Sequence, residues 1–475
     1  MDKYSVSPLR NEDRFTVTVP GSKSITNRAL LLAAMCKGKC ILKGVLFSDD
    51  SRAFLSCLNT LGYRLDINED EKTVIIEGGA GTIPSKMPIL SDAADSHSPE
   101  ETDSHIPILN VGSAGTAARF LTVFLAFAGG EYHLDSSQQM RRRPMEPLIS
   151  DLRNAGVEIT CLEEEGHFPF MIKSSGISVS EMSSNTDVSS QFASAILMAA
   201  PLLKKDLTLK LEGSRTNGSY INITLNMMSQ FGFRFERTDD TILIHSGYDQ
   251  NHAQTELILN NDVQNRNTGS VPEWQINNPS VYDIEPDMSA ACYFYAMAPI
   301  CGKIMQVHGV HPYSMQGDFQ FMKALEILGC QTEDDPAGVV LYPPVNEAYP
   351  GIDINMKDYS DQTMTMAVVA AFASSPSSIH DIGHIRFQES DRLNAIITEL
   401  NRLGCKCTSI EENTGIYIEP KSLHGASIET YDDHRIAMAF ALTGLRVPGV
   451  TILNPMCCRK TFENYFDVLD SITVQ

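Results

Sequence analysis

Cations and hydroxyl groups stand close together at the start of the stretch from residue 20 to residue 35, PGSKSITNRALLLAAM. The first residues predict a turn and the Ala- and Leu-rich remainder predicts a helix, which Ser22 or Ser24 is expected to cap. Lys23 and Arg28 then lie near the positive end of the helix dipole, where cations are unfavourable unless an anion binds. The stretch therefore predicts a phosphate or carboxylate site, and an ordinary capped helix with solvated cations is the alternative.

The same pattern, a polar start followed by an Ala-rich helix, recurs along the chain. Its copies start near Ser22, Ser113, Ser189, Asp287, Asp361 and Asp432. A short strand is predicted after each copy, and an amphipathic second helix after five of them. Glycine, the usual residue just past a helix end, follows those second helices at Gly62, Gly156, Gly232, Gly329 and Gly404. We predict an α/β fold of six repeats, arranged as two lobes of three repeats around the buried Ala-rich helices.

If the six repeats pack with pseudo-symmetry, the polar helix starts meet in one cleft between the lobes. That cluster comprises Lys23, Ser24, Arg28, Gly115, Thr116, Arg119, Ser189, Ser190, Gln191, Asp287, Asp361, Asp433, His434 and Arg435. Further cations lie outside the helices, at Arg141, Arg142, Arg143, Arg392 and Lys460. A mixture of Arg, Lys and hydroxyl groups suits a small polyanion that carries both phosphate and carboxylate.

Two carboxylates stand among these cations. Asp361 is predicted to open a helix whose N–H groups keep it ionised, and Glu389 lies three residues before Arg392. A plain helix cap for Asp361 and a salt bridge on a helix face for Glu389 are the simpler alternatives. Considered together, the two carboxylates predict a proton acceptor and a proton donor.

The composition limits the function classes. The chain has 475 residues, of which 43% are hydrophobic and 20% charged, as in a globular protein of two to four domains. A formal net charge of −22 argues against nonspecific nucleic-acid binding. Eleven cysteines without a framework spacing suit a reducing compartment. Neither a signal peptide nor a membrane-spanning run is evident, so a cytoplasmic location is expected.

Two polar stretches interrupt the repeats, near 80–107 and 248–280, and are predicted to be surface insertions. Their histidines have no metal-ligand spacing, so no metal site is predicted. Cys405 and Cys407 alternate along a predicted strand and are expected in the core.

The stretches that carry the pattern resemble those of a known family. In chain order they read PGSKSITNRALLLAA, SAGTAARFL, RRRPM, SSQFASAILMAAP, SMQGD, QESDRL, YDDHRIAMAFAL and RKTF. Together they resemble the 3-phosphoshikimate 1-carboxyvinyltransferases, also called EPSP synthases. The resemblance implies two similar lobes, each of three βαβαββ repeats with buried central helices, which is an inside-out α/β barrel. The first lobe would be 21–283, with both insertions; the second would be 1–20 plus 284–475, and the active site would lie in the interlobe cleft.

The resemblance also implies a reaction, in which the enolpyruvyl group of phosphoenolpyruvate moves to the 5-hydroxyl of shikimate 3-phosphate and phosphate is released. The residues implied for shikimate 3-phosphate are Lys23, Ser24, Arg28, Ser189, Ser190, Gln191, Asn217, Asp361 and Gln388. Those implied for phosphoenolpyruvate are Lys23, Gly115, Arg143, Arg392, Arg435 and Lys460. Asp361 is implied as the base, and Glu389, with Lys23, as the acid. Neither a metal nor an organic cofactor is implied, no nucleic acid or membrane partner is expected, and a monomer is expected.

Three positions depart from the family pattern. Ser113, Asn217 and Gln388 stand where the family usually has Asn, Ser and Lys respectively. We expect these departures to affect the affinity for shikimate 3-phosphate more than the chemistry. Two alternatives remain. The UDP-N-acetylglucosamine enolpyruvyl transferases normally carry a Cys or Asp in a mobile loop, and the corresponding stretch here, SSQQMRRRPM, has neither. A noncatalytic anion-binding homologue would instead have lost parts of the site.

Gly115 has no Cβ, which permits close approach of a ligand. The family's inhibitor glyphosate is longer than phosphoenolpyruvate and occupies the same site, so the resemblance implies sensitivity to glyphosate. We expect a methyl group at this position to weaken glyphosate more than phosphoenolpyruvate.

Overall fold

The computed structural model describes residues 2–84, 106–187, 189–247, 280–346 and 348–474. The two predicted insertions, near 80–107 and 248–280, fall almost entirely outside the described residues.

The helices alternate with short strands along the whole described chain. The α-helices are α1 (Lys23–Met35), α2 (Asp49–Thr60), α3 (Gly115–Ala128), α4 (Gln138–Arg141), α5 (Glu146–Asn154), α6 (Ser190–Ala199), α7 (Ser219–Gln230), α8 (Met288–Cys301), α9 (Gln320–Ile327), α10 (Thr363–Ala371), α11 (Arg392–Arg402), α12 (His434–Gly444) and α13 (Tyr465–Asp470).

The strands are two to seven residues long. They are β1 (Lys3–Ser5), β2 (Arg14–Val17), β3 (Lys37–Lys43), β4 (Arg64–Asn68), β5 (Thr73–Gly79), β6 (Ile108–Asn110), β7 (Gly130–Asp135), β8 (Glu158–Cys161), β9 (Phe170–Ser174), β10 (Glu181–Asn185), β11 (Leu207–Glu212), β12 (Phe235–Thr238), β13 (Thr241–Ile244), β14 (Val281–Asp283), β15 (Ile304–Val307), β16 (Gln331–Asp335), β17 (Gly338–Tyr342), β18 (Asp353–Asn355), β19 (Ser377–His380), β20 (Lys406–Ile410), β21 (Gly415–Glu419), β22 (Ser427–Ile428) and β23 (Thr451–Leu453).

The six predicted Ala-rich helices are α1, α3, α6, α8, α10 and α12. Their apolar residues surround the helix, and a helix of that kind must be buried on all sides. Every residue of α10 is buried, and so is every residue of α12. The second helices are instead amphipathic: α11 buries Leu393, Ile396 and Leu400 on one face. The predicted glycines after five second helices all have positive φ, between 80° and 98°, so the six-repeat pattern is confirmed.

The chain divides into two units by its internal contacts. The first unit takes the described residues within Met1–Ile25, Gly44–Asp49 and Ile284–Gln475, and the second takes those within Thr26–Lys43 and Asp50–Asp283. The division falls inside α1, after Ile25. In the first unit α8, α10 and α12 pack on one another, and in the second α6 packs against α3 and α7.

Each unit contains three small sheets in its described part. The sheets of the second unit have the strand orders β14-β3-β5-β4, β6-β7-β9-β8 and β10-β11-β13-β12. Those of the first unit are β2-β15-β17-β16, β18-β19-β21-β20 and the three-stranded β1-β23-β22. Every four-stranded sheet has one parallel pair followed by two antiparallel pairs. This recurring order is the βαβαββ repeat, and the predicted α/β fold class is confirmed.

Two leading strands are exchanged between the repeats. β2 precedes α1 in the sequence but pairs in parallel with β15, so that Phe15 lies opposite Met305. β14 precedes α8 but pairs in parallel with β3, so that Tyr282 lies opposite Leu42. The first unit is therefore built from both ends of the chain. None of the helices in the described ranges combines the length and apolar character that a bilayer crossing requires.

Candidate active site

Charged side chains gather at one place in the first unit, which we call the first-unit cluster. It consists of Asp361, Glu389, Arg392, Asp433, Arg435 and Lys460. Four different elements supply them: a 3₁₀ turn at Lys357–Gln362, the start of α11 with the loop before it, the start of α12, and a 3₁₀ turn at Pro455–Lys460. The structure therefore brings together both proposed catalytic carboxylates and three of the cations predicted for phosphoenolpyruvate.

Arg392 is the centre of this cluster. Its side chain is 1% exposed, and it pairs with Asp433 at 2.8 Å, Glu389 at 2.8 Å and Asp361 at 3.0 Å. Burial alone would lower the pKa of Arg392, but the negative charges of Asp433, Glu389 and Asp361 raise it above its ordinary value. A guanidinium surrounded in this way is held in one orientation and stays charged.

Asp361 does not open α10 as predicted, because that helix begins at Thr363. Asp361 lies instead in the preceding 3₁₀ turn, and two guanidinium groups hold its carboxylate. Nη1 of Arg392 donates to Oδ1 at 3.0 Å and Nη2 of Arg435 donates to Oδ2 at 2.8 Å. The N-cap position of α10 is occupied by Gln362 and not by Asp361.

Glu389 also lies outside a helix, in the loop before α11. Its Oε2 accepts from Nη2 of Arg392 at 2.8 Å, and its Oε1 lies 3.5 Å from Nζ of Lys460. The salt bridge to Arg392 is therefore present, but not on a helix face. Both Glu389 and Lys460 are about one-tenth exposed, at 11% and 9% of the side chain, so this pair is mostly shielded from water.

His434 lies fully buried beside the cluster, at the first residue of α12. Within the described part of the chain neither ring nitrogen has a hydrogen-bond partner. Burial lowers the pKa of His434 well below its ordinary value, and the positive charges of Lys23, Arg435 and Lys460 lower it further. The imidazole is therefore neutral at pH 7. The preceding residue, Asp433, caps α12 by accepting from the backbone N–H of Arg435 at 2.9 Å.

Lys23 begins α1, and its backbone N–H donates to Oδ2 of Asp287 at 3.0 Å. Oδ1 of the same carboxylate accepts from the backbone N–H of Ala290 at 3.0 Å and caps α8. The serine cap of α1, Ser22 or Ser24, stays a prediction; the structure adds an aspartate from far along the sequence that accepts from the first N–H of the helix. Ser24 is half-buried in the first turn of α1.

Arg28 lies one turn into α1 rather than at its start, and its guanidinium is enclosed in the second unit. Nε donates to Oγ1 of Thr224 at 2.8 Å, and Nη2 donates to Oγ of Ser194 at 3.2 Å. The guanidinium carbon lies 5.2 Å from the ring centre of Phe120 and 5.9 Å from that of Tyr220. Burial lowers the pKa of Arg28 to about 10, so this cation is poorly solvated and suited to an anion.

A second group in this unit, which we call the second-unit cluster, consists of Gly115, Arg119, Arg143 and Gln191. Nη1 of Arg119 donates to the carbonyl of Gly115 and to Oε1 of Gln191, both at 3.0 Å. A Cβ on Gly115 would lie 2.5 Å from Nη1 of Arg119 and 2.8 Å from Nη1 of Arg143. Glycine is therefore required here if two guanidinium groups are to approach the start of α3 so closely.

The remaining predicted residues occupy helix starts and turns. Ser189 caps α6 by accepting from the backbone N–H of Gln191 at 3.2 Å, and Ser190 is the first residue of that helix. Asn217 is exposed in the turn before α7. Of the departures from the family pattern, Ser113 shares a 2.7 Å hydrogen bond with Ser137, and Gln388 accepts from Arg392.

Metal and thiol chemistry find no geometric support in the described residues. No group of three or more His, Cys, Asp and Glu side chains there is arranged to hold a metal ion. Cys405 and Cys407 are buried, as expected, and burial raises the pKa of each thiol, to about 11 and about 12 respectively. Thiols of that kind are poor nucleophiles at pH 7.

Sequence reasoning missed one acidic residue beside the cluster. Asp318 is buried at the 3₁₀ turn Gly317–Phe319 and accepts from Nε2 of Gln362, the residue after Asp361. Its only sequence signal is the position within SMQGD, just before a helix, which is equally typical of a helix cap.

Comparison with known proteins agrees with this geometry. The family model described as EPSP synthase (3-phosphoshikimate 1-carboxyvinyltransferase) matches residues 12–266 and 259–469. The chain is 37% identical over 467 residues to a 3-phosphoshikimate 1-carboxyvinyltransferase of Trichormus variabilis, covering 98% of each chain. It is 35% identical over 475 residues to the protein of that name from Photobacterium damsela, covering 100% of each.

Among solved structures, the EPSP synthase of Acinetobacter baumannii has the same fold, with a TM-score of 0.74 at 21% identity. That match covers 100% of this chain and 99% of the other. Family model and curated relatives thus agree over nearly the whole length, and the family predicted from the motifs is confirmed. The chain belongs to the EPSP synthase family of 3-phosphoshikimate 1-carboxyvinyltransferases.

Proposed function

We propose that this protein transfers the enolpyruvyl group of phosphoenolpyruvate to the 5-hydroxyl of shikimate 3-phosphate and releases phosphate. The observation that carries the proposal is the first-unit cluster, in which three carboxylates and three cations meet. Up to 99 positions separate them in sequence, from Asp361 to Lys460. Such a cluster offers acid–base groups beside a binding place for a ligand with phosphate and carboxylate groups.

The cations are proposed to bind the two substrates. Phosphoenolpyruvate would be held by Lys23, Gly115, Arg143, Arg392, Arg435 and Lys460. Shikimate 3-phosphate would be held by Lys23, Ser24, Arg28, Ser189, Ser190, Gln191, Asn217, Asp361 and Gln388. Buried guanidinium groups such as those of Arg28 and Arg392 favour this role, because an anion interacts strongly with a cation that water solvates poorly. The two units would correspond to the two lobes of the family.

The proposed chemistry is addition followed by elimination. The 5-hydroxyl oxygen attacks C2 of phosphoenolpyruvate and its proton passes to Asp361, while C3 takes a proton from Glu389. In the second step C3 returns a proton to the carboxylate of Glu389 and the double bond between C2 and C3 forms again. The C2–O bond to phosphate breaks, and the leaving phosphate takes the proton from Asp361. The network supports these roles because Arg392 touches both carboxylates at 3.0 Å or less and fixes their separation. Lys460, close to Glu389, would favour the carboxylate form after proton transfer.

No cofactor is needed for this scheme, in which positioning and charge stabilisation provide the catalysis. We further propose that the enzyme is a cytoplasmic monomer. The relatives do not favour the alternative of a UDP-N-acetylglucosamine enolpyruvyl transferase. Both curated relatives compared above are named 3-phosphoshikimate 1-carboxyvinyltransferase.

The test is phosphate release from phosphoenolpyruvate with shikimate 3-phosphate, with UDP-N-acetylglucosamine, and with no acceptor. We expect release with shikimate 3-phosphate alone. Release only with the sugar nucleotide would instead establish the related transferase activity, and no release with either acceptor would identify a noncatalytic homologue.

A further inference from the structure

Asp318 is a buried carboxylate next to the turn that carries Asp361. It is 7% exposed, and its Oδ2 accepts from Oγ of Ser289 and, at 3.2 Å, from Nε2 of Gln362. The thiol of Cys292 donates to its backbone carbonyl at 3.7 Å. Two hydrogen bonds to one carboxylate oxygen account for the burial of a group that otherwise costs several kcal/mol to desolvate.

The hydrogen bond from Gln362 connects Asp318 to the proposed base. Gln362 is fully buried and follows Asp361 directly in the turn Lys357–Gln362. Its Oε1 accepts from Oγ1 of Thr365 at 3.3 Å, so both ends of the amide are engaged. Asp318 therefore anchors the last residue of the turn, and with it the backbone position of Asp361.

Charge provides a second connection. Two guanidinium groups contact Asp361, at 3.0 Å and 2.8 Å, and cations so close make a carboxylate a weaker base. A nearby negative charge has the opposite effect. Burial raises the pKa of Asp318 to about 6, the charge of Asp361 raises it next, and Arg435 lowers it. Because the repulsion between two carboxylates is mutual, the negative charge of Asp318 also makes Asp361 more basic.

We propose that Asp318 is a positioning residue for the reaction, one that fixes the turn bearing Asp361 through Gln362 and whose negative charge offsets the guanidinium groups of Arg392 and Arg435. This inference rests on the proposed role of Asp361 as the base. The groups that face Asp318 are Ser289 and Cys292 of α8, Gln362 and Asp361 of the turn, and Arg435 of α12.

The consequence is a characteristic pH dependence. Above pH 6 Asp318 is ionised and Asp361 is the stronger base; below pH 6 Asp318 takes up a proton and the support is lost. Asp318→Asn imitates the protonated carboxyl at every pH. We expect kcat of the wild type to exceed that of Asp318→Asn on the order of tenfold at pH 8, and the ratio to approach one below pH 6. The KM values should change little.

The experiment measures kcat and KM from pH 5 to pH 8.5 for the wild type and Asp318→Asn, with folding checked by circular dichroism. Ser289→Ala is the matched control, since it removes a hydrogen bond but keeps the carboxylate. It should retain the pH dependence, shifted to higher pH because the lost hydrogen bond favoured the ionised form of Asp318. If the ratio of wild-type kcat to Asp318→Asn kcat were the same at every pH, Asp318 would have only a structural role and the proposal would be overturned. A kcat of Asp318→Asn equal to that of the wild type would also overturn it.

If Asp318→Asn does not fold, Gln362→Met decides. Gln362→Met removes the anchor and keeps the carboxylate of Asp318, so kcat should fall at every pH and still depend on pH. The transition should lie at higher pH than in the wild type, because the lost hydrogen bond favoured the ionised form of Asp318. A wild-type kcat in Gln362→Met overturns the proposal. Asp361→Asn, measured alongside, separates this inference from the proposed function. If Asp361→Asn loses turnover while Asp318→Asn keeps the wild-type kcat, only the role of Asp318 is refuted. If Asp361→Asn keeps full turnover, the proposed role of Asp361 as the base is refuted.

Discussion

The backbone N–H of Lys23 donates to the side chain of Asp287, 264 positions further along the chain, at 3.0 Å. The other oxygen of that carboxylate caps α8. One aspartate thereby satisfies free N–H groups at the starts of two helices, α1 and α8, and fixes the backbone of a proposed catalytic lysine.

Asp287→Ala should therefore destabilise the protein more than the loss of an ordinary cap. Each lost cap costs about 1 kcal/mol, so we expect a decrease of roughly 2 kcal/mol in the free energy of unfolding. Urea denaturation measures it. Asp391→Ala is the control, because Asp391 caps a single helix, α11, by accepting from the backbone N–H of Asn394 at 3.1 Å. Its other oxygen accepts from Arg386 at 3.3 Å, a partly exposed ion pair of little energetic weight. Equal losses in the two variants would show that the contact with Lys23 contributes nothing.

Asp361→Asn should lower turnover by roughly 10²-fold or more, as expected for loss of a general base. Anionic substrates should bind as well as in the wild type or better, because Arg392 and Arg435 each lose a negative partner. Phosphate-release kinetics and calorimetric binding of shikimate 3-phosphate measure the two effects. Asp358→Asn, in the same turn but exposed, is the matched control and should behave as the wild type. Near-normal turnover in Asp361→Asn would leave this residue a purely structural ion-pair partner.

The buried imidazole of His434 is expected to make the protein less stable at acidic pH. Its folded-state pKa lies well below the ordinary 6.5, so below pH 6.5 the unfolded chain binds a proton that the folded protein does not. The free energy of unfolding must then fall with decreasing pH, by up to about 1.4 kcal/mol per unit from this group.

The variant His434→Leu removes this titration and leaves no buried ring nitrogen without a partner. Its stability relative to the wild type should improve steadily as the pH falls from 6.5. Urea denaturation of both proteins across that range isolates His434, since all other groups are shared. If the free energies of unfolding of the two proteins changed with pH in parallel, the pKa of His434 would be the same in the folded and unfolded states, contrary to this prediction.

Gly115→Ala should disturb two arginines at once. The new methyl carbon would come within 2.8 Å of both Arg119 and Arg143, and distances under 3 Å force one partner to move. Because guanidinium ends are flexible, we expect little change in stability. The KM for phosphoenolpyruvate should rise on the order of tenfold, because the displaced arginines no longer position the ligand. The sequence predicted a stronger effect on glyphosate than on phosphoenolpyruvate; the structure adds an effect on phosphoenolpyruvate through the two displaced arginines.

Paired titrations with phosphoenolpyruvate and glyphosate measure both effects. Ser113→Ala is a suitable control, since it changes the same loop without adding an atom near the arginines. If the KM for phosphoenolpyruvate were unchanged while glyphosate weakened, the methyl group would act on the inhibitor alone.

The repeats and the family were accessible from sequence because they depend on local patterns. An Ala-rich helix such as α10 shows its burial in its own composition, and Gly404 marks the end of α11 without any distant partner. The motif around Lys23 was likewise recognisable because its residues are contiguous.

The ion-pair network was not accessible in the same way. Asp361 and Arg435 are separated by 74 positions, and no spacing rule links an aspartate in a 3₁₀ turn to the second residue of a distant helix. For the same reason the contact between Asp287 and the start of α1 was not predicted from the sequence. Asp318 was missed because its proposed role depends on its contact with Gln362, which is distant in sequence, and its sequence neighbours do not indicate that contact.

The exchange of β2 and β14 has a consequence for how the protein is made. A ribosome releases the N-terminal strands first, yet β1 and β2 find their partners only in β23 and β15, after residue 303 at the earliest. The second unit receives its last strand, β14, at residue 283, while most of the first unit is still to be synthesised. During synthesis the second unit therefore has all its described strands before the first unit does, and in that interval β1 and β2 have no partner strand to pair with.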